Sequence, residues 1–371
     1  MFLRMSKLLS YCPLCTATEI KMLYEARDPH YGIPGSYRIV RCANCSLVFL
    51  NPMYSDGELT ALYPSDYYAY QDEVRGSLWK QRAKKLLGYW QGTREPSFSR
   101  PGTFLDIGCG SGAFVERMRD AGWRAQGVEV NEAAARAAQS RDLEVFCGLL
   151  QDAQFPSDSF DYVRASHSLE HSTCPHETLD EIRRILKPEG TLLIAIPNID
   201  SLSAKIFRQY WFHLCPPVHA FSYSVQTIRR MLELHGFRVR RVVFNSQYEG
   251  ILGSAQIWLN RKNGNKSSEG LVFNARPLRI VCGWLERLCD VMRMGDVIEV
   301  TAAKANAPES VSRIRGLSET RNKRCSIPAI ESGRPSSDLG WWHIKHLRVM
   351  QTSAYKALTS GQEIPFPPNV A

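Results

Sequence analysis

The chain has 371 residues, with 46 Lys/Arg against 37 Asp/Glu and a net charge of +9. Hydrophobic residues at 44% and charged residues at 22% exclude a disordered or fibrous chain, and no run approaches the roughly 18 uncharged apolar residues of a membrane span. From Lys304 onward ten Lys/Arg stand against five Asp/Glu, so the rest of the chain carries only modest charge and gives no electrostatic argument for DNA or RNA.

The opening "MFLRMSKLLS" lacks the apolar core and small-residue cleavage site of a signal peptide. Eleven cysteines, an odd count, argue against a disulfide framework. A cytoplasmic protein without a membrane span is the expectation.

Residues 10–52 hold two CxxC turns, Cys12-Pro-Leu-Cys15 and Cys42-Ala-Asn-Cys45, with 26 residues between them. Thiolates at i and i+3 of a tight turn grip one edge of a metal tetrahedron. Two such turns complete it, and zinc takes four sulfurs in closed structural sites. The pattern predicts a small zinc-stabilised module with Cys12, Cys15, Cys42 and Cys45 as ligands, in preference to a redox pair or unrelated free cysteines. Having no open coordination position, such a metal is structural.

Residues 74–90, "VRGSLWKQRAKKLLGYW", read as a helix with a solvated basic face. Strand and helix patterns then alternate. "TFLDI" is a short apolar strand. "GAFVERMRDAG" is a helix with Gly122 placed to end it. "WRAQGVEV" is a second strand, and Asn131 caps the helix "NEAAARAAQS". "LEVFCG" and "FDYVRAS" are strands. "HETLDEIRRILKPEG" is a helix stopped at Lys187-Pro188 and Gly190. "TLLIAIPN" is a fully apolar strand, followed by the helix "VQTIRRMLELHGF" and the strand "RVRRVVFN". This alternation predicts an α/β domain built on a parallel sheet covered on both faces.

After the polar loop "LNRKNGNKSSEG", residues Val281, Trp284, Leu285, Leu288, Val291 and Met292 recur at helical spacing. They predict an amphipathic helix with its apolar face on the core. "GDVIEVTAAK" is the last strand, expected at the sheet edge. Residues 305–371 show no sustained period, and their composition predicts a disordered tail.

The first strand carries the chemistry. Asp106 ends it, and Gly108, Gly110 and Gly112 turn the chain into a helix. Glycines allow backbone angles that a Cβ forbids, and the helix start offers unpaired N–H groups. Glu129, at the end of the next strand, is placed to accept from both hydroxyls of a ribose. Gly108, Gly110 and Ala113 also fit the G-x-G-x-x-G/A spacing of dinucleotide sites. A carboxylate two residues before the first glycine disfavours a pyrophosphate and suits a ligand with an ammonium group. S-adenosylmethionine has that group, a ribose and no phosphate.

These segments resemble the class I S-adenosylmethionine-dependent methyltransferases. "LDIGCGSGAFVERM" is similar to their first motif, "GVEVN" to the second-strand acid, and "FPSDSFDYVRASHSLEH" and "RRILKPEGTLLIAIPN" to the segments through the fourth and fifth strands. The resemblance implies a Rossmann-like seven-stranded domain over residues 70–304. It implies that Asp106, Gly108 and Gly110, with Cys109 between the glycines, line the methionine and sugar. Glu129 would hold the ribose, Val130 and Asp152 the adenine, and Ser166 and His167 would close over the cofactor. "CPLC…RCANCSLVFLNP" and "CPPVHAFSYSVQTIRRMLELHGF" resemble the family's members with an amino-terminal zinc ribbon, which methylate sugars and other small metabolites. A small-molecule acceptor is therefore expected. The alternative is a ribosomal-RNA base methyltransferase, whose zinc module uses a His among its ligands.

The acceptor is expected at the carboxyl ends of the strands, between "SHSLEH" and "RQYWFHLCPPVHAF". Methyl transfer from a sulfonium is an in-line displacement and needs a base only where the acceptor must lose a proton. His171, His167 and His219 are the candidates, with Glu170 as an orienting partner.

Overall fold

The computed structural model describes residues 7–55, 58, 95–262, 267 and 270–305. The helix expected over residues 74–90 and the tail expected beyond 305 fall outside the described residues.

Two sheets organise the described chain. The first is antiparallel: β1 (Ile20–Ala26), β2 (Tyr37–Cys42), β3 (Val48–Leu50) and, from much further along, β9 (Phe221–Ser222), in the order β1-β2-β3-β9. The second has seven strands. They are β4 (Thr103–Ile107), β5 (Arg124–Glu129), β6 (Glu144–Cys147), β7 (Phe160–Ser166), β8 (Leu186–Pro197), β10 (Phe237–Phe244) and β11 (Val297–Lys304). Their order is β10-β11-β8-β7-β4-β5-β6. The five strands from β6 to β8 run parallel, and β11 is antiparallel to both its neighbours. The last strand is thus not at the edge, as its place in sequence suggested. β11 inserts between β8 and β10, where Ile298, Val300 and Ala302 are buried.

The helices are α1 (Ala113–Asp120), α2 (Glu132–Gln139), α3 (Pro175–Ile185), α4 (Leu202–Phe207), α5 (Val225–Leu234), α6 (Glu249–Asn260), α7 (Leu271–Asn274) and α8 (Arg276–Val291). Local chemistry sets their ends. Asn131 caps α2 by accepting from the Ala134 amide at 2.9 Å, and Ser224 and Thr227 form a reciprocal capping box on α5. α3 ends earlier than expected. Pro188 disfavours helix at Lys187, and the chain is already extended at Leu186, so "LKPEG" opens the twelve-residue β8.

One apolar cluster joins the sheets. Leu47, Phe49 and Leu50 share it with Ile194, Ile196, Phe221 and Leu232. The cysteine-bearing segment therefore does not stand alone: β9, drawn from the loop between α4 and α5, completes its sheet, with Phe49 opposite Phe221.

α8 departs from expectation. Cys282, Glu286 and Cys289 face the protein, whereas the apolar stripe from Val281 to Met292 is 46–82% exposed. Periodicity identified the helix but not the face it buries.

Candidate functional site

The turn after β4 is held from two sides. The Gly108 and Cys109 amides donate to the Val128 carbonyl at 2.8 and 3.1 Å, and the Gly110 amide donates to Glu129 Oε2 at 2.8 Å. Gly108, Gly110 and Gly112 all have positive φ. At Gly108 (φ 71°) the requirement is double, because a Cβ there would stand 2.9 Å from Ser168 Oγ. Ser168, from the segment after β7, thus presses on the loop. The sequence reading did not single it out, although it lies inside the quoted "SHSLEH".

Glu129 is 6% exposed, and its other oxygen accepts from the Asn131 amide at 2.8 Å. Burial raises its carboxyl above the ordinary range, while the amides of Asn131, Gly110 and Val130 pull it back. Val130 and Leu149 are exposed apolar side chains in the segments that follow β5 and β6, linked where the Gly148 amide donates to the Glu129 carbonyl. Asp152 lies just beyond, exposed in a short 3-10 turn (Leu150–Ala153), and Ser166 ends β7 half-buried.

Two loop residues behave differently from expectation. Asp106 is buried and bonded to Arg164, whose Nη1 lies 2.9 and 3.1 Å from its two oxygens. Arg164 also lies 3.5 Å from Glu95 and 4.0 Å over the Phe114 ring. Burial raises the Asp106 carboxyl and Arg164 lowers it again. With Asp106 neutralised by an internal partner, the uncompensated negative charge at the loop belongs to Glu129. Cys109 points into the core: its sulfur would lie 2.6 Å from a Cβ on Gly127, and it packs with Val115, Ala135 and Ala138. Its backbone alone faces the loop.

The loop fits a ribose-bearing ligand on two structural grounds. The glycine cradle would be filled by a Cβ, and a carboxylate aimed across it keeps acceptor capacity beyond its two amide bonds.

After β7, Glu170, His171 and His219 bring a ligand atom each to within 4.8 Å of one another. The rings of His171 and His219 meet edge-on at 4.6 Å. Each pins its Nδ1 to a carbonyl, His171 to Val218 at 3.0 Å and His219 to His213 at 2.9 Å. A carbonyl only accepts, so both Nδ1 atoms carry the hydrogen and Nε2 is the acceptor of the neutral ring. Burial holds the imidazoles of His171 and His219 below their ordinary value and that of His213 at about 3. His167 is more exposed and places Nδ1 3.3 Å from Glu170 Oε1. Glu170 is 1% exposed, and neither oxygen receives a hydrogen bond.

The aromatic segment splits its roles. Trp211 is buried and donates to Asp296 Oδ1 at 2.9 Å, so it belongs to the core. The Phe212 carbonyl accepts from His30 Nε2 at 2.8 Å. His30, in the connection between β1 and β2, therefore ties the cysteine-bearing segment to the aromatic segment after α4. Nothing near His30 in sequence announces that contact.

Cys12, Cys15, Cys42 and Cys45 converge, with all four sulfurs within 4.8 Å of one another. Cys12 and Cys45 are 3.4 Å apart and Cys15 and Cys42 3.5 Å, near the roughly 3.8 Å edge of a tetrahedron with Zn–S of about 2.3 Å. The two turns are alike. Thr16 donates its amide to the Cys12 carbonyl and Ser46 to that of Cys42, and both residues have left-handed φ, 61° and 63°. Burial raises the Cys45 thiol to about 11. Burial also acts on Cys15, but the Ala17 amide and the Asn44 side chain outweigh it and bring that thiol to about 7. The donor set and spacing fit one tetrahedral ion.

The seven-stranded mixed sheet, with the glycine loop following β4, is an α/β methyltransferase fold. Residues 75–242 match the family model described as a methyltransferase domain. Among curated relatives, the chain is 28% identical over 186 residues to a ubiquinone/menaquinone biosynthesis C-methyltransferase UbiE of Paraburkholderia phytofirmans, covering 44% of this chain and 73% of that protein. It is 26% identical to a demethylmenaquinone methyltransferase of Corynebacterium urealyticum, over 38% and 58%. It is 28% identical to an uncharacterized protein of Methanocaldococcus jannaschii, over 29% and 51%. The chain thus spans about half to three quarters of these relatives' lengths. Among solved structures it is similar to a methyltransferase from Archaeoglobus fulgidus, with 23% identity, 64% of this chain, 99% of that one and a TM-score of 0.41.

Proposed function

We propose that the chain transfers a methyl group from S-adenosylmethionine to a small-molecule acceptor, a nucleotide-linked sugar or a precursor of a polysaccharide or natural product. The observation that carries this reading is Glu129, which spans the glycine loop and the start of α2 from the tip of β5. Its carboxylate suits ribose hydroxyls, and it already takes the Gly110 amide that a pyrophosphate at the glycine loop would need. Val130, Leu149 and Asp152 form the adenine side, Gly108 and Gly110 the amino-acid side, and Ser166 and His167 close the site. When bound, S-adenosylmethionine supplies an electrophilic methyl group on a sulfonium.

The chain's own part is to position the acceptor and hold its proton. Half-buried and neutral, His171 and His219 are in the protonation state a base requires. Glu170, 3.3 Å from His167 Nδ1, would orient that ring. Cys12, Cys15, Cys42 and Cys45 would hold a structural zinc ion that fixes the β1–β3 sheet, and through His30 and β9 that sheet would brace the acceptor side. Residues 10–52 would thus act as a brace on the methyltransferase domain of residues 70–304. The sugar assignment rests on the resemblance of the four-cysteine segment. The relatives named as methyltransferases support the reaction type.

A turnover screen with labelled S-adenosylmethionine against nucleotide-sugars tests the reading. Label incorporation that falls at least tenfold in His167→Ala or His171→Ala supports it. Methylation of ribosomal RNA, with nucleotide-sugars inert, overturns the acceptor class.

A further inference from the structure

α8 is inverted for a helix of a water-exposed domain. Val281, Trp284, Leu285, Leu288, Val291 and Met292 form one face and are 46–82% exposed. The helix's acids point inward: Glu286 is 1% exposed, and Asp290 accepts from the amide and hydroxyl of Ser246. Cations border this apolar face. Arg287 flanks it, with its guanidinium 5.3 Å over the Trp284 ring, and Arg293 follows its end. Sixteen residues rise about 24 Å, too short and too charged to cross a bilayer but suited to lying along one.

Beyond the end of α8 the stripe runs into a cationic groove. One cavity of about 450 Å³ is lined by Lys205, Arg229 and Arg293, and an adjoining one of about 750 Å³ by Arg229, Arg241, Val291 and Arg293. None of these four cations is ion-paired among the described residues, and Asp200 is the exposed acid on the rim. Asn198 and Asp200 follow β8, so the groove opens at the carboxyl ends of the parallel strands, the edge that also carries the glycine loop.

We propose that the exposed face of α8 and the adjoining Arg229–Arg241–Arg293 groove form one docking surface for an anionic phospholipid bilayer. The pattern matches what such a surface demands. Trp and Leu enter the interfacial layer, arginines sit at headgroup level, and no exposed acid interrupts the stripe. A protein partner would need complementary acids opposite the arginines, whereas a bilayer supplies them as a continuous sheet of phosphate. Docked this way, the strands' carboxyl ends turn toward the membrane. This inference does not depend on which acceptor is methylated.

Sedimentation of the full chain with phosphatidylcholine vesicles, and with mixed phosphatidylcholine–phosphatidylglycerol vesicles, tests it. Binding to the mixed vesicles alone, weakened by salt and accompanied by a blue shift of tryptophan emission, is expected. Leu288→Glu should abolish binding, and Arg229→Ala or Arg241→Ala should each lower partitioning about fivefold. These side chains are exposed, so an unchanged melting temperature excludes unfolding as the cause. Three outcomes overturn the proposal: no partitioning of the full chain, unimpaired partitioning of Leu288→Glu, or a concentration-dependent dimer or RNA complex lost in Leu288→Glu without vesicle binding.

Discussion

Glu129 Oε2 accepts the Gly110 amide at 2.8 Å, so the acid expected to hold a ribose also fixes the loop that would carry the rest of the ligand. The two functions separate by substitution. Glu129→Gln keeps one carbonyl oxygen but sets an NH2 against a backbone N–H, removing one charge-assisted bond of about 1.5–3 kcal/mol. S-adenosylmethionine affinity by calorimetry should fall tenfold or more while the fold persists. Unchanged affinity would remove Glu129 from the ligand site.

The four cysteines predict one zinc ion per chain by elemental analysis. Cys42→Ser should lose it and lower the melting temperature by roughly 10 °C, because the sheet anchored there shares its core with β8 and β9. Cys147→Ser, on an exposed thiol outside the cluster, should keep both metal and stability. Equal zinc content in the wild type and Cys42→Ser would contradict the ligand set.

His171 and His219 give the pH dependence a sign. Burial depresses both folded-state values below the unfolded 6.5, so below that pH the unfolded chain binds more protons and stability falls with acidification. The limiting slope is about 1.4 kcal/mol per pH unit per histidine. Replacing both with Gln should flatten the denaturation midpoint between pH 6.5 and 5. An unaltered slope would place the acid sensitivity elsewhere.

Glu286 acts in the opposite range. Burial and the nearby Asp296 push its carboxyl up to about 10, so it stays protonated in the folded protein from its unfolded 4.5 up to that value. Stability should therefore decline as pH rises through that interval. Glu286→Gln, which keeps an acceptor for the Ile251 amide, should raise the melting temperature at pH 9 and leave it little changed near pH 5. A wild-type-like alkaline decline in the variant would refute the buried proton.

What the sequence disclosed and what it hid follow a physical division. Asn131 as a cap, the glycine turn and the apolar strands are local chemistry, and each stands where the residues indicated. Strand order is not local. β11 sits between β8 and β10 because pairing partners roughly 60 and 100 positions away decide its place. Arg164 neutralises Asp106 from 58 residues away, on a strand whose neighbour cannot be read from spacing. β9 has two residues, too few for an alternation to register, yet it closes the cysteine-bearing sheet. The stripe on α8 gave the helix its period, but a period does not distinguish a core from another apolar partner. The convergence of Cys12, Cys15, Cys42 and Cys45 was legible because paired turns with ligand spacing leave little else to form.

The most direct test is parallel calorimetric titration of the full chain with S-adenosylmethionine and with NADH. The account predicts one-to-one binding of S-adenosylmethionine, weakened in Glu129→Gln, and no heat from NADH, whose pyrophosphate would have to displace Glu129 from the Gly110 amide. NADH saturating the wild type while S-adenosylmethionine stays unbound would contradict it.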